Sequence, residues 1–232
     1  LYSASGNFLP AYVARDNYPG PDWTRNTNRS DTFGLVGHAN LGDWTIRNGV
    51  FHSTFSQDFG YANVVLIDSD TSTRRQVYAF PGSRAASWSG ELRVSRRLAE
   101  GSRQHLITAT LRGRSIDAHY GGGDFADLGS AALNERIHPP RPAFAFGTQT
   151  GDETRQATLG LSYSVKWNGL GELTAGVQRS HYVKRVAVPG GPLAEGTSDV
   201  TLPAFSAAVP ITKQLSLYGS YVRGLEDAGS AP

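Results

Sequence analysis

The sequence predicts an all-β protein, an antiparallel up-and-down transmembrane β-barrel of about ten strands. Three observations carry that prediction. Side-chain character alternates with a period of two, several alternating runs are far longer than the ~5–6 residues of an ordinary strand, and short and long connections alternate along the chain.

Strands are expected near 32–41, 43–55, 59–68 and 74–81, the four least regular runs; 43–55 has no clean apolar face. Near 86–98, Trp88, Gly90, Leu92 and Val94 alternate with Ser89, Glu91, Arg93 and Ser95. Ala99 to Arg103 then turn the chain. The return near 104–115 sets Ile107, Ala109 and Leu111 against Thr108, Thr110 and Arg112. A long connection, Ser115–Glu153, follows. Within it, Ser130 before Ala-Ala-Leu-Asn-Glu-Arg predicts a short capped helix, ended by Pro139-Pro140.

The clearest element comes next, at 154–167. Ala157, Leu159, Leu161, Tyr163, Val165 and Trp167 share one parity; Thr158, Gly160, Ser162, Ser164 and Lys166 share the other. A helix would scramble that separation. Asn168-Gly169 supplies the positive φ of a tight hairpin, and 170–186 returns with Leu173, Ala175 and Val177 on its apolar face. A second long link, Ala187–Asp199, is expected before strands at 200–211 and 214–224. The last alternates Leu215, Leu217, Gly219 and Tyr221 with Ser216, Tyr218 and Ser220.

A sheet with one apolar face either packs on a second sheet in a soluble sandwich or faces lipid in a barrel. Strand length and the alternation of turn lengths favour the barrel. So do aromatics at strand ends, Trp44 and Trp167 beside short turns and Trp88 and Tyr221 toward the long loops. In lipid the backbone then demands closure, because a free edge leaves N–H and C=O groups unpaired. A soluble β-sandwich binding module and a passive porin-like channel are the alternatives.

Composition narrows the chemistry. The 232 residues contain no Cys, which excludes disulfides, thiolate metal sites and thiol nucleophiles. A net charge of +2 gives no electrostatic case for nucleic acid. The absence of Met leads to the expectation of a processed, trimmed or internal segment. The longest aliphatic run, Val64 to Ile67, is far too short for a membrane-spanning helix.

The six His lack zinc-site spacing. The run from Asp68 to Ser72 starts like a calcium loop, but Thr73 and Ala79 stand where Gly and Glu are needed. Gly121-Gly122-Gly123-Asp124 reads as a flexible loop, and no Gly-x-Ser-x-Gly elbow occurs. Neither an enzyme nor a cofactor or metal site is expected. Two polar groups are candidates for ligand binding. Arg112 and Arg114, with Glu91 and Arg93, fall on the polar parity and hence in the lumen; cross-strand ion pairing is the plainer reading of them. His119, Tyr120, Arg136, His138 and Arg141 lie in or beside the longest loop. There, guanidinium forks and ring faces suit a planar or catecholate anion, ordinary loop polarity being the alternative.

The stretch Leu217-Tyr218-Gly219-Ser220-Tyr221-Val222-Arg223-Gly224-Leu225-Glu226, continuing to Pro232, resembles TonB-dependent outer-membrane receptors of the siderophore-receptor kind. Ala143-Phe144-Ala145-Phe146-Gly147 before Asp152-Glu153-Thr154-Arg155-Gln156, and Gly20-Pro21-Asp22-Trp23 before Thr32-Phe33-Gly34, resemble the same group. The resemblance implies a 22-stranded barrel, plugged by a separate N-terminal domain, in the bacterial outer membrane. It further implies uptake of a scarce solute such as a ferric siderophore, driven through the inner-membrane TonB complex. No plug, TonB box or terminal barrel strand is recognisable, so residues 1–232 are expected to be one section of the barrel.

Overall fold

The structure, a computed structural model, describes residues 2–4, 12, 20–68 and 72–225. Its main sheet is an eight-stranded arc. It contains β2 (Asn28–Leu41), β3 (Trp44–Gln57), β6 (Ser83–Glu100), β7 (Arg103–Tyr120), β9 (Thr150–Trp167), β10 (Gly171–Ala187), β11 (Leu193–Pro210) and β12 (Ser216–Val222). These pair antiparallel in the order β12-β11-β10-β9-β7-β6-β3-β2, and the arc does not close. A second sheet, ordered β1-β4-β5-β8, is built from β1 (Tyr2–Ala4), β4 (Gly60–Ile67), β5 (Ser72–Phe80) and β8 (Asp124–Ala132). The structure is thus all-β and, apart from the parallel β1–β4 pair, antiparallel, with no helix among the described residues.

Register turns the period-two pattern into two faces. Leu159 stands opposite Leu111, and Leu111 opposite Leu92; Leu161 pairs with Ala109 and Val177, and Ala109 with Val94. Every apolar parity therefore lands on the same side of the sheet. A concavity on the other side is lined by Ser89, Glu91, Arg112, Gln156, Thr158 and Gln178, all from the polar parities. The polar face is the concave one and the apolar face the convex one, the arrangement of a lipid-facing barrel wall. Leu159 (64% exposed) and Leu161 (56%) stand out from that convex face.

The register also shows how the strand-end indoles line up. Trp44 on β3 pairs with Arg96, Arg96 with Ile107, and Ile107 with Tyr163, so Trp167 lies four residues farther along β9 across three strand steps. At ~3.4 Å per residue and ~4.8 Å per strand, the line joining the two indoles is inclined by about 43°. In a wall whose strands tilt by the ~35–45° usual for membrane barrels, both Trp side chains would lie at one depth. A parallel line through Trp88 meets β12 close to Tyr221. The two lines stand about 23 Å apart, the height of an outer-membrane apolar band. The four aromatics expected at the strand ends therefore mark two rims.

The connections at one end are short. They lie between β2 and β3, β6 and β7, β9 and β10, and β11 and β12. Gly169 (φ 82°) supplies the left-handed backbone of the β9–β10 turn, as Asn168-Gly169 predicts. At the opposite end the structure corrects several expectations. The strands near 59–68 and 74–81 leave the main sheet and pair with each other as β4 and β5, outside the barrel wall. The expected helix from Ser130 is instead the end of β8 and a turn, with Glu135 N donating to Ala132 O at 3.0 Å. A run of six residues is too short to nucleate a helix, whereas β5 offers it a paired edge. The expected long link Ala187–Asp199 is mostly ladder, because β10 and β11 stay paired from Glu172–Ala208 to Ala187–Leu193. Of the run from Asp68 to Ser72, residues 69–71 lie outside the described residues, as do residues 226–232 of the C-terminal motif.

The second sheet has its own small core. Val65, Ile67, Val77 and Ala79 on its inner face are buried with Leu133. Arg75, 3% exposed, donates through Nη2 to the carbonyls of Ala132 (2.7 Å) and Leu133 (3.0 Å), tying the end of β8 to β5. The long connections are thereby folded into an ordered head at the wide-loop end of the wall.

Candidate functional site

Two regions carry the polar chemistry, one on the concave wall and one in the head. On the wall, Glu91 of β6 stands opposite Arg112 of β7. Arg112 Nε donates to Glu91 Oε2 at 2.6 Å, and Arg93 Nη2 lies 2.8 Å from Glu91 Oε1. One carboxylate thus holds two guanidiniums, Arg112 across the strands and Arg93 two residues along the same strand. Arg114, Gln156, Thr158 and Gln178 continue the same concavity, of about 430 Å³. Hydroxyl pairs reach along it, with Ser95–Thr108 at 2.9 Å, Thr158–Ser180 at 2.9 Å and Ser164–Thr174 at 2.8 Å. The wall therefore presents hydroxyls, amides and guanidiniums to the concave side.

In the head, residues 20–27 lie along β4. Tyr61 N donates to Asn26 Oδ1 at 2.6 Å, and Asn26 Nδ2 donates to Tyr61 O at 3.2 Å. This brings Trp23 against the Tyr61 ring, edge-on with centroids 5.6 Å apart, while Trp23 Nε1 donates to Pro139 O at 2.9 Å. Phe144 stacks on Phe146 at 6.0 Å, and Phe146 meets Phe59 at 6.2 Å. The Arg141 guanidinium lies over both the Phe59 ring (5.3 Å) and the Tyr61 ring (5.8 Å). The result is an aromatic cluster roofed by a permanent cation, suited to planar anions.

The sequence-named residues divide among these regions. Arg112 and Arg114 belong to the wall, and Arg141 to the aromatic cluster. Arg136 and His138 converge on Asp22; Arg136 pairs with one carboxylate oxygen and His138 Nδ1 lies 3.4 Å from the other. The Arg136 hydrogen bond chiefly, helped by the Arg136 and His138 charges and opposed by burial, holds the Asp22 carboxyl below the usual carboxylate range. His119 and Tyr120 stand apart at the top of β7, His119 on the convex parity and Tyr120 on the concave one. Tyr120 hydroxyl donates to Asp152 at 3.4 Å. The fold therefore does not gather the five loop residues into one site. Sequence reasoning missed Trp23, Phe59, Tyr61, Phe144 and Phe146 as a cluster. Their visible signal was Phe-x-Phe beside Arg141, but only tertiary packing joins residues 23, 61 and 144.

Residues 2–231 match the family described as TonB dependent receptor-like, beta-barrel. The chain belongs to this family. Its members are outer-membrane transporters, not enzymes, in keeping with a sequence that has no catalytic motif. Among solved structures, the chain is similar to BauA, the ferric preacinetobactin receptor of Acinetobacter baumannii, with a TM-score of 0.74 at 16% identity over 97% of this chain and 34% of that one. It is also similar to Fiu, the ferric-catecholate import receptor of E. coli K12, with a TM-score of 0.71 at 12% identity over 89% of this chain and 34% of that one. The siderophore receptor PiuA of Acinetobacter baumannii gives 0.57 at 12% identity, over 85% and 32%. At such identities the likeness is one of fold. The chain spans about a third of the length of these receptors. No curated protein matches it in sequence.

Proposed function

We propose that this chain is a section of the barrel of a bacterial outer-membrane receptor that imports a ferric siderophore or similar scarce solute with energy supplied through TonB. In this reading the head captures the solute and the polar concave wall lines its route. A plug in the wider barrel transmits the TonB signal. The observation that carries the reading is the aromatic cluster under Arg141, set in the head above a hydroxyl- and amide-lined wall. Aromatic faces and a guanidinium recognise flat, electron-rich anions, the chemistry of catecholate-type iron chelates. The names of the similar structures, a ferric preacinetobactin receptor and a ferric-catecholate import receptor, support this class of solute. Arg136 and His138 act indirectly in this scheme, by fastening the 133–149 connection to Asp22 beside Trp23.

The test uses the full-length receptor in detergent, with a ferric catecholate siderophore as probe and intrinsic fluorescence quenching as readout. Replacing Arg141 and Trp23 by Ala should weaken binding about tenfold or more, since each cation–π or stacking contact contributes ~0.5–2 kcal/mol. Unchanged affinity in both variants removes the head cluster from the solute site. Uptake that persists in cells lacking TonB overturns the energy coupling.

A further inference from the structure

We infer that the convex face binds phospholipid phosphate at its short-turn rim, through two guanidiniums each laid on an indole. Arg96 lies over the Trp44 ring with its Cζ 5.3 Å from the centroid, and Arg103 lies over the Trp167 ring at 4.9 Å. Both pairs sit on the apolar parity. Arg96 stands opposite Trp44, Arg103 opposite Trp167, and the β6–β7 hairpin carries both arginines between the two tryptophans.

Depth identifies the partner. The line through Trp44 and Trp167 is one edge of the ~23 Å apolar band, and each arginine falls within about 3 Å of that line. At this level a convex side chain meets lipid headgroups. Among the described residues neither guanidinium has an ion pair or a side-chain hydrogen bond. Of the two carboxylates on the convex parity of this hairpin, Asp117 lies far up β7, and Glu100, beside the turn, is directed to His105 Nε2 at 3.6 Å. The ring faces orient both forks, yet leave their N–H donors without an acceptor from the protein. A phosphodiester at the membrane interface supplies that acceptor in bidentate form. The two sites would hold the β6–β7 hairpin at a fixed height in the headgroup layer nearest the short turns.

The inference rests on the membrane-barrel reading but not on any solute. In the test, full-length receptor in detergent micelles is titrated with phosphatidylglycerol. A galactosyl diacylglycerol, which carries no phosphate, serves as control, and retained lipid is counted by native mass spectrometry. Wild type should keep up to two phosphatidylglycerol molecules in preference to the galactolipid. The double variant Arg96→Gln/Arg103→Gln should lose that preference, with retention about thirtyfold weaker. Heat-modifiable electrophoretic mobility reports whether the variant barrel has assembled. Should it fail to assemble, Arg96→Lys/Arg103→Lys keeps the charges, loses the planar forks and should retain phosphatidylglycerol at an intermediate level. Equal retention of both lipids by wild type, or unchanged preference in an assembled variant, overturns the clamp. A wild-type receptor that dissolves without detergent overturns the membrane reading itself.

Discussion

Leu161 and Ser162 are adjacent in the chain and meet different media. Leu161 projects from the convex face, more than half exposed, while Ser162 faces the concave wall. Leu161→Arg should cost about 2–4 kcal/mol if it lies near the bilayer midplane, and Ser162→Arg close to nothing. Urea unfolding of the micelle-bound receptor reads both; equal losses would reverse the assigned faces. Asp22 gives a second prediction, of pH dependence. Its folded carboxyl titrates below the usual range, so the fastening of Arg136 and His138 is present above the unfolded aspartate value. It is lost as pH falls through the lowered one. Hydrogen exchange across residues 136–139 should accelerate below about pH 4, and Asp22→Asn should remove the pH dependence. Faster exchange in that variant only above neutrality would contradict the sign.

Among the elements, the β9–β10 hairpin was the most legible, because strict alternation and Asn168-Gly169 both point to it. Its turn depends on a left-handed residue: Gly169→Val should destabilise the hairpin by about 1–2 kcal/mol, measurable as a lower unfolding midpoint. The second sheet was half legible. Its strands at 60–67 and 72–80 read as strands, but periodicity says nothing of which sheet a strand joins. Ser130 to Arg136 read as a helix since a capping residue followed by Ala, Leu and Glu satisfies the local rule; pairing with β5 overrode it. Arg75→Met would leave the Ala132 and Leu133 carbonyls without their charged donor. A local loss of about 3 kcal/mol is expected, seen as faster exchange along β8 with the wall unaffected.

At the scale of the whole molecule, the sequence revealed the two faces but neither the alignment of the strand-end indoles nor the way the head assembles. That alignment is a property of register, which no single strand encodes. The head depends on contacts between residues more than a hundred positions apart, such as Trp23 with Pro139. The arc ends at β2 and β12. An expressed 1–232 chain on its own should fail to show heat-modifiable mobility in micelles, because two open edges in hydrocarbon cost too many backbone hydrogen bonds. A stable, heat-modifiable species would mean that eight strands close unaided.

The strands also outrun the apolar band. β10 and β11 remain fully paired up to Ala187 and Leu193, carrying Arg185 within 3.0 Å of Glu195 beyond the rim marked by Trp88 and Tyr221. That leaves a stiff parapet about 20 Å tall above the outer rim. An antibody or phage approaching from outside would meet an epitope of fixed shape, so recognition there should need little ordering of the target and should survive changes confined to the loop tips.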